Sequence, residues 1–98
     1  MHARVTTLDM DPGNVDQVRD QLERDDVPKF QELDGFKGMT LLTDRQSGKT
    51  VAVTFWETED ALRASEDAVQ DARRRAADTG GAGEPQVERF EVILDTMA

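Results

Sequence analysis

Residues 50–62 read TVAVTFWETEDAL, and this stretch decides the fold. Val51, Val53 and Phe55 alternate with Ala52, Thr54 and Trp56, the period-2 pattern of a β-strand whose two faces differ. Thr58 then offers an N-cap hydroxyl, and Glu59 and Asp60 suit the positive end of a helix dipole. A strand therefore passes directly into a helix, which the spacing carries to about Asp78. The inward stripe of that helix is Leu62, Ser65, Val69, Ala72 and Ala76, mostly small side chains that allow close approach to a sheet.

Upstream, Lys37 to Asp44 reads as a strand around Met39, Leu41 and Leu42. The polar stretch Asp44-Arg45-Gln46-Ser47-Gly48-Lys49 joins it to Thr50–Trp56 as a hairpin. Further back, Asn14 precedes Val15, Val18 and Leu22 at helical spacing, with Gln17 in a capping-box position. Pro28 should break or kink this first helix just before itself, because it lacks an amide donor and crowds the preceding turn. Phe30 and Leu33 suggest one more short turn, which Asp34-Gly35 ends. Ala3 to Met10 forms the first strand, closed by Asp11-Pro12-Gly13. Thr79-Gly80-Gly81-Ala82-Gly83 reads as a flexible connector. The last strand runs from Gln86 to Asp95, with Phe90, Val92 and Leu94 on one face and Arg89, Glu91 and Ile93 on the other.

The order strand, helix, strand, strand, helix, strand is the ferredoxin-like βαββαβ pattern of an α+β fold, a four-stranded antiparallel sheet with two helices on one face. Apolar residues occupy both alternations of this sheet, as Leu41 with Leu42, Phe55 with Trp56 and Val92 with Ile93. Leaving the second face in water would expose a large patch, so a second copy of the chain is expected there, as a homodimer.

Composition narrows the function. The 98 residues suit one domain with one core, burying roughly 60–65% of the unfolded surface. Apolar residues make up 37% and charged residues 34%, with 21 acidic against 12 basic side chains and a net charge of −9. That balance argues against nucleic acid or an anionic membrane as partner, since phosphate binding needs clustered Lys and Arg. With no cysteine, disulfides, thiol nucleophiles and zinc-thiolate sites are excluded. The opening MHARVTTLDM lacks the apolar run of a signal peptide, which makes the cytoplasm the expected location.

Catalytic residue types are scarce. His2 is the only histidine and is expected at a free end rather than as a base or metal ligand. Glu57, Glu59 and Asp60 are explained by the helix dipole; the run Arg73-Arg74-Arg75 could bind an anion, but on an acidic helix such a run more often makes i,i+4 pairs, here with Asp71, Glu66 or their neighbours. Trp56, the single tryptophan, reads in two ways: as core or dimer interface, or as the lining of a pocket with Phe30, Phe36 and Met39. No cofactor or metal is expected.

The segment Leu33-Asp34-Gly35-Phe36-Lys37-Gly38-Met39, followed by Val51-Ala52-Val53-Thr54-Phe55-Trp56-Glu57-Thr58-Glu59-Asp60-Ala61-Leu62, resembles the antibiotic biosynthesis monooxygenase superfamily. The likeness runs through the whole chain, residues 1–98, as one domain. It implies a dimeric α+β barrel whose active members insert oxygen into electron-rich aromatic substrates, often quinols, without flavin or metal, while others degrade haem. The resemblance makes Trp56 the pocket tryptophan, and it alone carries over; Phe30, Phe36, Met39 and Thr54 are expected as its substrate-binding neighbours from their own positions in the chain. It also implies a small aromatic or apolar partner. The histidine that haem-degrading members carry on the second helix is absent, and where they have an asparagine on the first strand this chain has Thr6 and Thr7; its only asparagine is Asn14. Haem degradation is thus not expected, and the Asn, Tyr or His partners of the oxygenases have no counterpart. A proton acceptor would have to be Glu57 or a water held near Thr54. The alternative is a non-catalytic dimer that binds a small apolar ligand or serves as an accessory protein.

Overall fold

The computed structural model describes residues 1–97; Ala98 lies outside the described residues. Strands β1 (His2–Asp9), β2 (Phe36–Thr43), β3 (Lys49–Trp56) and β4 (Gln86–Glu91) form one antiparallel sheet in the order β2-β3-β1-β4. Helices α1 (Val15–Gln21), α2 (Val27–Gln31), α3 (Glu59–Ala64) and α4 (Glu66–Gly80) accompany it. The ferredoxin-like arrangement expected from the element order is the observed one, with the helices on one face of the sheet.

Register decides which side chains meet the helices. Arg4 stands opposite Thr54 on one side and Arg89 on the other, and Thr6 opposite Ala52 and Val87. Cross-strand partners share a face, so Arg4, Thr6, Leu8, Thr50, Ala52, Thr54 and Trp56 point toward the helices. The core there comprises Leu8, Met10, Val15, Val18, Leu22, Phe30, Trp56, Leu62, Val69 and the alanines of α4. All five residues of the expected inward stripe are buried.

The structure corrects the expected element ends at several points. The first helix begins earlier, in a 3-10 turn at Pro12–Asn14 where the Asp11 carboxylate accepts from Gly13 N at 2.9 Å. Asn14 caps nothing with its side chain; its Nδ2 donates instead to Gly80 O, tying the helix start to the end of α4. The interruption expected just before Pro28 is present, as a widened turn rather than a break in the chain's helical course. A π-turn, Leu22–Asp26, links α1 to α2, with Val27 N donating five residues back to Leu22 O. The wider turn takes the Arg24 carbonyl away from the proline ring, which would clash with it in a regular α-helix.

The second helix, by contrast, is split where continuity was expected. α3 ends at Ser65, whose hydroxyl donates to Leu62 O at 2.6 Å, and α4 continues two residues past Asp78. Gly80 therefore belongs to the helix rather than to a connector. A Cβ on Gly80 would lie 3.0 Å from the Met10 side chain, so glycine permits this approach. Gly81, at φ 69°, ends the helix as a left-handed cap, with Ala82 N returning to Ala77 O at 2.9 Å.

Finally, β4 stops at Glu91 instead of Asp95, because β1 provides no partner beyond its own first residues; Val92 N donates to Met1 O as the last link. Ile93, Leu94 and Met97 lie exposed beyond it. His2 is not a loose end: it is the first residue of β1, half-buried and in register with Trp56 and Glu91.

Candidate functional site

Between the sheet and the helices lies a small, almost wholly apolar cavity of about 40 Å³. Its floor is the helix-facing row of the three adjacent strands: Thr6 and Leu8, Met39 and Leu41, and Thr50, Ala52 and Thr54. Its roof is Leu22 of the π-turn, Phe30 of α2 and the α4 residues Val69, Ala72, Arg73 and Ala76. The alanines of α4 leave room that larger side chains would fill. The space admits about one water molecule as it stands. On the β2 edge, Leu22, Met39 and Leu41 also form the wall of an open groove of about 300 Å³, so a shift of the flexible Met39 joins groove and cavity.

Of the residues singled out in the sequence, Phe30, Met39 and Thr54 line this cavity. Phe36 lines the outer groove, and Trp56 lines neither. Trp56 is fully buried and packs edge-on against Phe36, ring centroids 5.3 Å apart, and Phe36 in turn meets Phe30 at 6.1 Å. Its indole Nε1 donates to Thr54 Oγ1 at 3.0 Å. Trp56 thus faces the helices, not the open side of the sheet, and touches the cavity through Thr54. A hydroxyl has one proton to give, and with the indole donating to its oxygen Thr54 keeps that proton.

Glu57 is exposed and outside the lining, held by its backbone N to Gly35 O at 2.7 Å, so its carboxylate has no access to the cavity. Among the lining residues there is no carboxylate, histidine, asparagine or tyrosine. Among the described residues no group of three or more His, Asp or Glu side chains is placed to hold a metal ion.

Sequence reasoning missed Arg4. Arg4 is 1% exposed; its Nη1 donates to Ser65 Oγ at 3.1 Å, and its Nη2 to Leu62 O and Glu66 Oε2, each at 2.7 Å. This guanidinium occupies the carbonyl that a continuous helix would use, which explains the break at Ser65. Burial pulls Arg4 below the ordinary guanidinium value, against the pull of Glu66. For Glu66 partial burial opposes ionisation, but Arg89 and Arg4 outweigh it and hold the carboxyl below the ordinary glutamate value. The expected pairing holds for Arg74, 2.7 Å from Asp71, and for Arg75, which bonds Asp71 at 3.1 Å and the buried Asp26 of the π-turn. Arg73 pairs with Glu66 more loosely, at 3.8 Å, and also lines the cavity. The signal for Arg4 was its place two and four residues before Thr6 and Leu8 on an inward alternation; Arg73 lies four residues after Val69, on the flank of the buried stripe.

The family model for "Antibiotic biosynthesis monooxygenase" matches residues 1–78. Two uncharacterized proteins of Mycobacterium tuberculosis are similar over nearly the whole chain. Rv2558 is 42% identical, the match covering 96% of this chain and 39% of that protein; Rv2557 is 38% identical, covering 94% and 41%. The chain spans about two fifths of the length of these relatives. Among solved structures, the fold resembles a Streptomyces coelicolor monooxygenase from the gene ActVA-Orf6, in complex with nanaomycin D, with TM-score 0.80 and 18% identity over 99% of this chain and 91% of that one. It also resembles the Mycobacterium tuberculosis heme-degrader MhuD (TM-score 0.71, 20% identity, 99% and 100% covered) and SnoaB, a cofactor-independent oxygenase from Streptomyces nogalater (0.66, 19%, 97% and 95%). Identities this low carry the fold alone. Among the described residues no helix is long and apolar enough to cross a membrane.

Proposed function

The chain belongs to the antibiotic biosynthesis monooxygenase family, and on that premise we propose that it is a homodimeric, cofactor-independent monooxygenase-like protein acting on a small aromatic or quinol substrate. The observation that carries this reading is the cavity under α4, apolar on nearly every side, with Thr54 in its lining and the Trp56 indole bonded to that threonine's hydroxyl. Aromatic rings fit the chemistry of walls built from Phe30, Met39 and Leu41.

In such a site the substrate itself supplies the electrons. An anthrone-type CH₂ and O₂ become C=O and water, so no outside reductant is required. The chain's part is to exclude water, hold the ring in one orientation, and place a hydroxyl proton against the oxygen on which charge develops. Trp56 is here a positioning residue, acting through Thr54. Haem does not suit this cavity, whose lining has no histidine to hold its iron.

The homodimer reading is supported by the sheet's other face. Val5, Val51, Val53 and Phe55 are half-buried there, and Leu42 and Phe90 are 54% and 50% exposed, an apolar surface that a second copy would cover. Light scattering at micromolar concentration should give twice the 10.9 kDa chain mass; the mass of one chain would refute it.

The test of catalysis is O₂ uptake with anthrone- and quinol-type compounds. Uptake above the protein-free rate that falls in Thr54→Val and Trp56→Phe supports the enzyme. One observation favours a second reading, a ligand-binding or accessory protein: no side chain lining the cavity can serve as a general base. Quenching of Trp56 fluorescence by the same compounds without O₂ uptake would decide for it.

A further inference from the structure

Along the first helical stretch the residues at four-residue spacing, Val18, Leu22, Asp26 and Phe30, are all buried. Three are apolar, as an inward stripe requires. The fourth is a carboxylate, 1% exposed, at the end of the π-turn. A buried charge pays for desolvation, and a buried ion pair is seldom more stable than apolar side chains of the same volume, so packing alone does not account for Asp26. Arg75 of α4 binds only one of its oxygens, Oδ1, and makes its other bonds to Asp71. Asp26 Oδ2 is buried with no hydrogen-bond partner among the described residues. It is an acceptor without a donor.

The cavity lies against this pair. Its lining takes Leu22 and Phe30 from either side of Asp26 on the stripe, and Ala72 and Ala76 from either side of Arg75 on α4. Asp26 itself stands behind the lining. At about 40 Å³ the space admits one water, whereas a dry cavity that holds benzene measures about 150 Å³, so the roof has to yield to a ring. Leu22 is the roof residue with room to move, because it also borders the open groove on the β2 edge. It begins the π-turn, where the helix is already widened, and its displacement uncovers the next inward residue, Asp26.

We propose that Asp26 is the proton acceptor of the site, its free Oδ2 taking a proton from the ring compound while Arg75 on Oδ1 fixes the direction of the carboxylate. This rests on the reading of the cavity as an oxygenase site, and it supplies the base that the lining lacks. In the anthrone-type reaction the CH₂ gives one proton to Oδ2 and keeps the electron pair, which then forms the bond to O₂. The outer peroxide oxygen takes the proton back from Oδ2. Loss of the second C–H proton, with cleavage of the O–O bond, leaves C=O and water.

The test measures O₂ uptake with anthrone for turnover and quenching of Trp56, the single tryptophan, for binding. Asp26→Asn should lower uptake at least about a hundredfold, as loss of a general base does, while the half-quenching concentration stays within about threefold. Asp26→Leu completes the apolar stripe; it should melt no lower than the unmodified chain and show the same loss of uptake, which separates chemistry from packing. Asp26→Glu, which keeps a carboxylate, should retain part of the rate. Asp71→Asn, which removes the other partner of Arg75 and leaves Asp26 in place, should leave the rate unchanged. A smaller fall in whichever of the Asn and Leu variants folds, a fall matched by lost quenching, or failure of both to fold overturns the inference and leaves the cavity reading standing. No uptake by the unmodified chain above the protein-free rate overturns both.

Discussion

The π-turn at Leu22–Asp26 and the break at Ser65 interrupt the two helical stretches of the molecule in mid-course, and they have different origins. The first is local. Pro28 has no amide to donate and a ring that crowds the Arg24 carbonyl, and the chain widens by one residue to accommodate it. The second is imposed from outside the helix: a guanidinium from β1, 61 residues away in the chain, takes the Ser65 hydroxyl and the Leu62 carbonyl. A distortion caused by a neighbouring residue can be anticipated from sequence, whereas one caused by a distant side chain needs the register of the sheet.

That contrast can be broken most forcefully at Arg4. Arg4→Ala leaves Leu62 O and the Glu66 carboxylate without their buried donor, and should lower stability by about 3 kcal/mol, measured by urea denaturation. A loss below about 1 kcal/mol would show that the break at Ser65 does not depend on Arg4.

Asp26 is the corresponding link on the other side, since the widened turn buries its carboxylate against Arg75 of α4. Asp26→Ala should cost about 1.5 kcal/mol, less than Arg4, because Arg75 keeps Asp71 and Asp26 Oδ2 has no partner to lose.

The pH dependence follows from Glu66, whose carboxyl is held below the ordinary glutamate value of about 4.3. A depressed carboxyl contributes its stability in full above the unfolded value and loses it as pH falls through the folded one. The thermal midpoint should therefore drop as the solution is acidified below about pH 4, and Glu66→Gln should flatten that drop. Because the side chain is 33% exposed, solvent screening limits the effect to about 1 kcal/mol.

The smallest change is expected at Pro28. Pro28→Ala restores an amide and relieves the crowding but adds freedom to the unfolded chain, so stability should move by less than about 1 kcal/mol. Amide exchange would show whether Val27 still bonds to Leu22 O or the turn has closed to a regular α-helix.

Most of the fold was legible because strands and helices announce themselves by periodicity. The Thr50–Trp56 alternation placed Trp56 and Val53 on opposite faces correctly, and the Leu62–Ala76 stripe identified the buried side of the second helix. The errors lie at ends, where the deciding partner is remote. β4 stops where β1 runs out, and Asn14 bonds Gly80 rather than its own helix. The site was legible only in its apolar part. Phe30, Met39 and Thr54 line the cavity as their inward positions suggest, because hydrophobic and β-branched residues there are expected to face a core. The places of Arg4, Glu66 and Arg73 were not legible, because in isolation a charged residue reads as solvated surface.

The sequence by itself determined the order of elements, the faces of β3 and the apolar character of both sides of the sheet, since each follows from the spacing of residues close together in the chain. Tertiary structure decided where the charges went. Only the register that sets Arg4 against Thr54, and the close packing that the alanines of α4 permit, brings three guanidinium groups to one carboxylate and leaves Arg73 with buried, unpartnered donors beside an apolar cavity. Electrostatic neighbours are set by distance in space, and no local pattern encodes it.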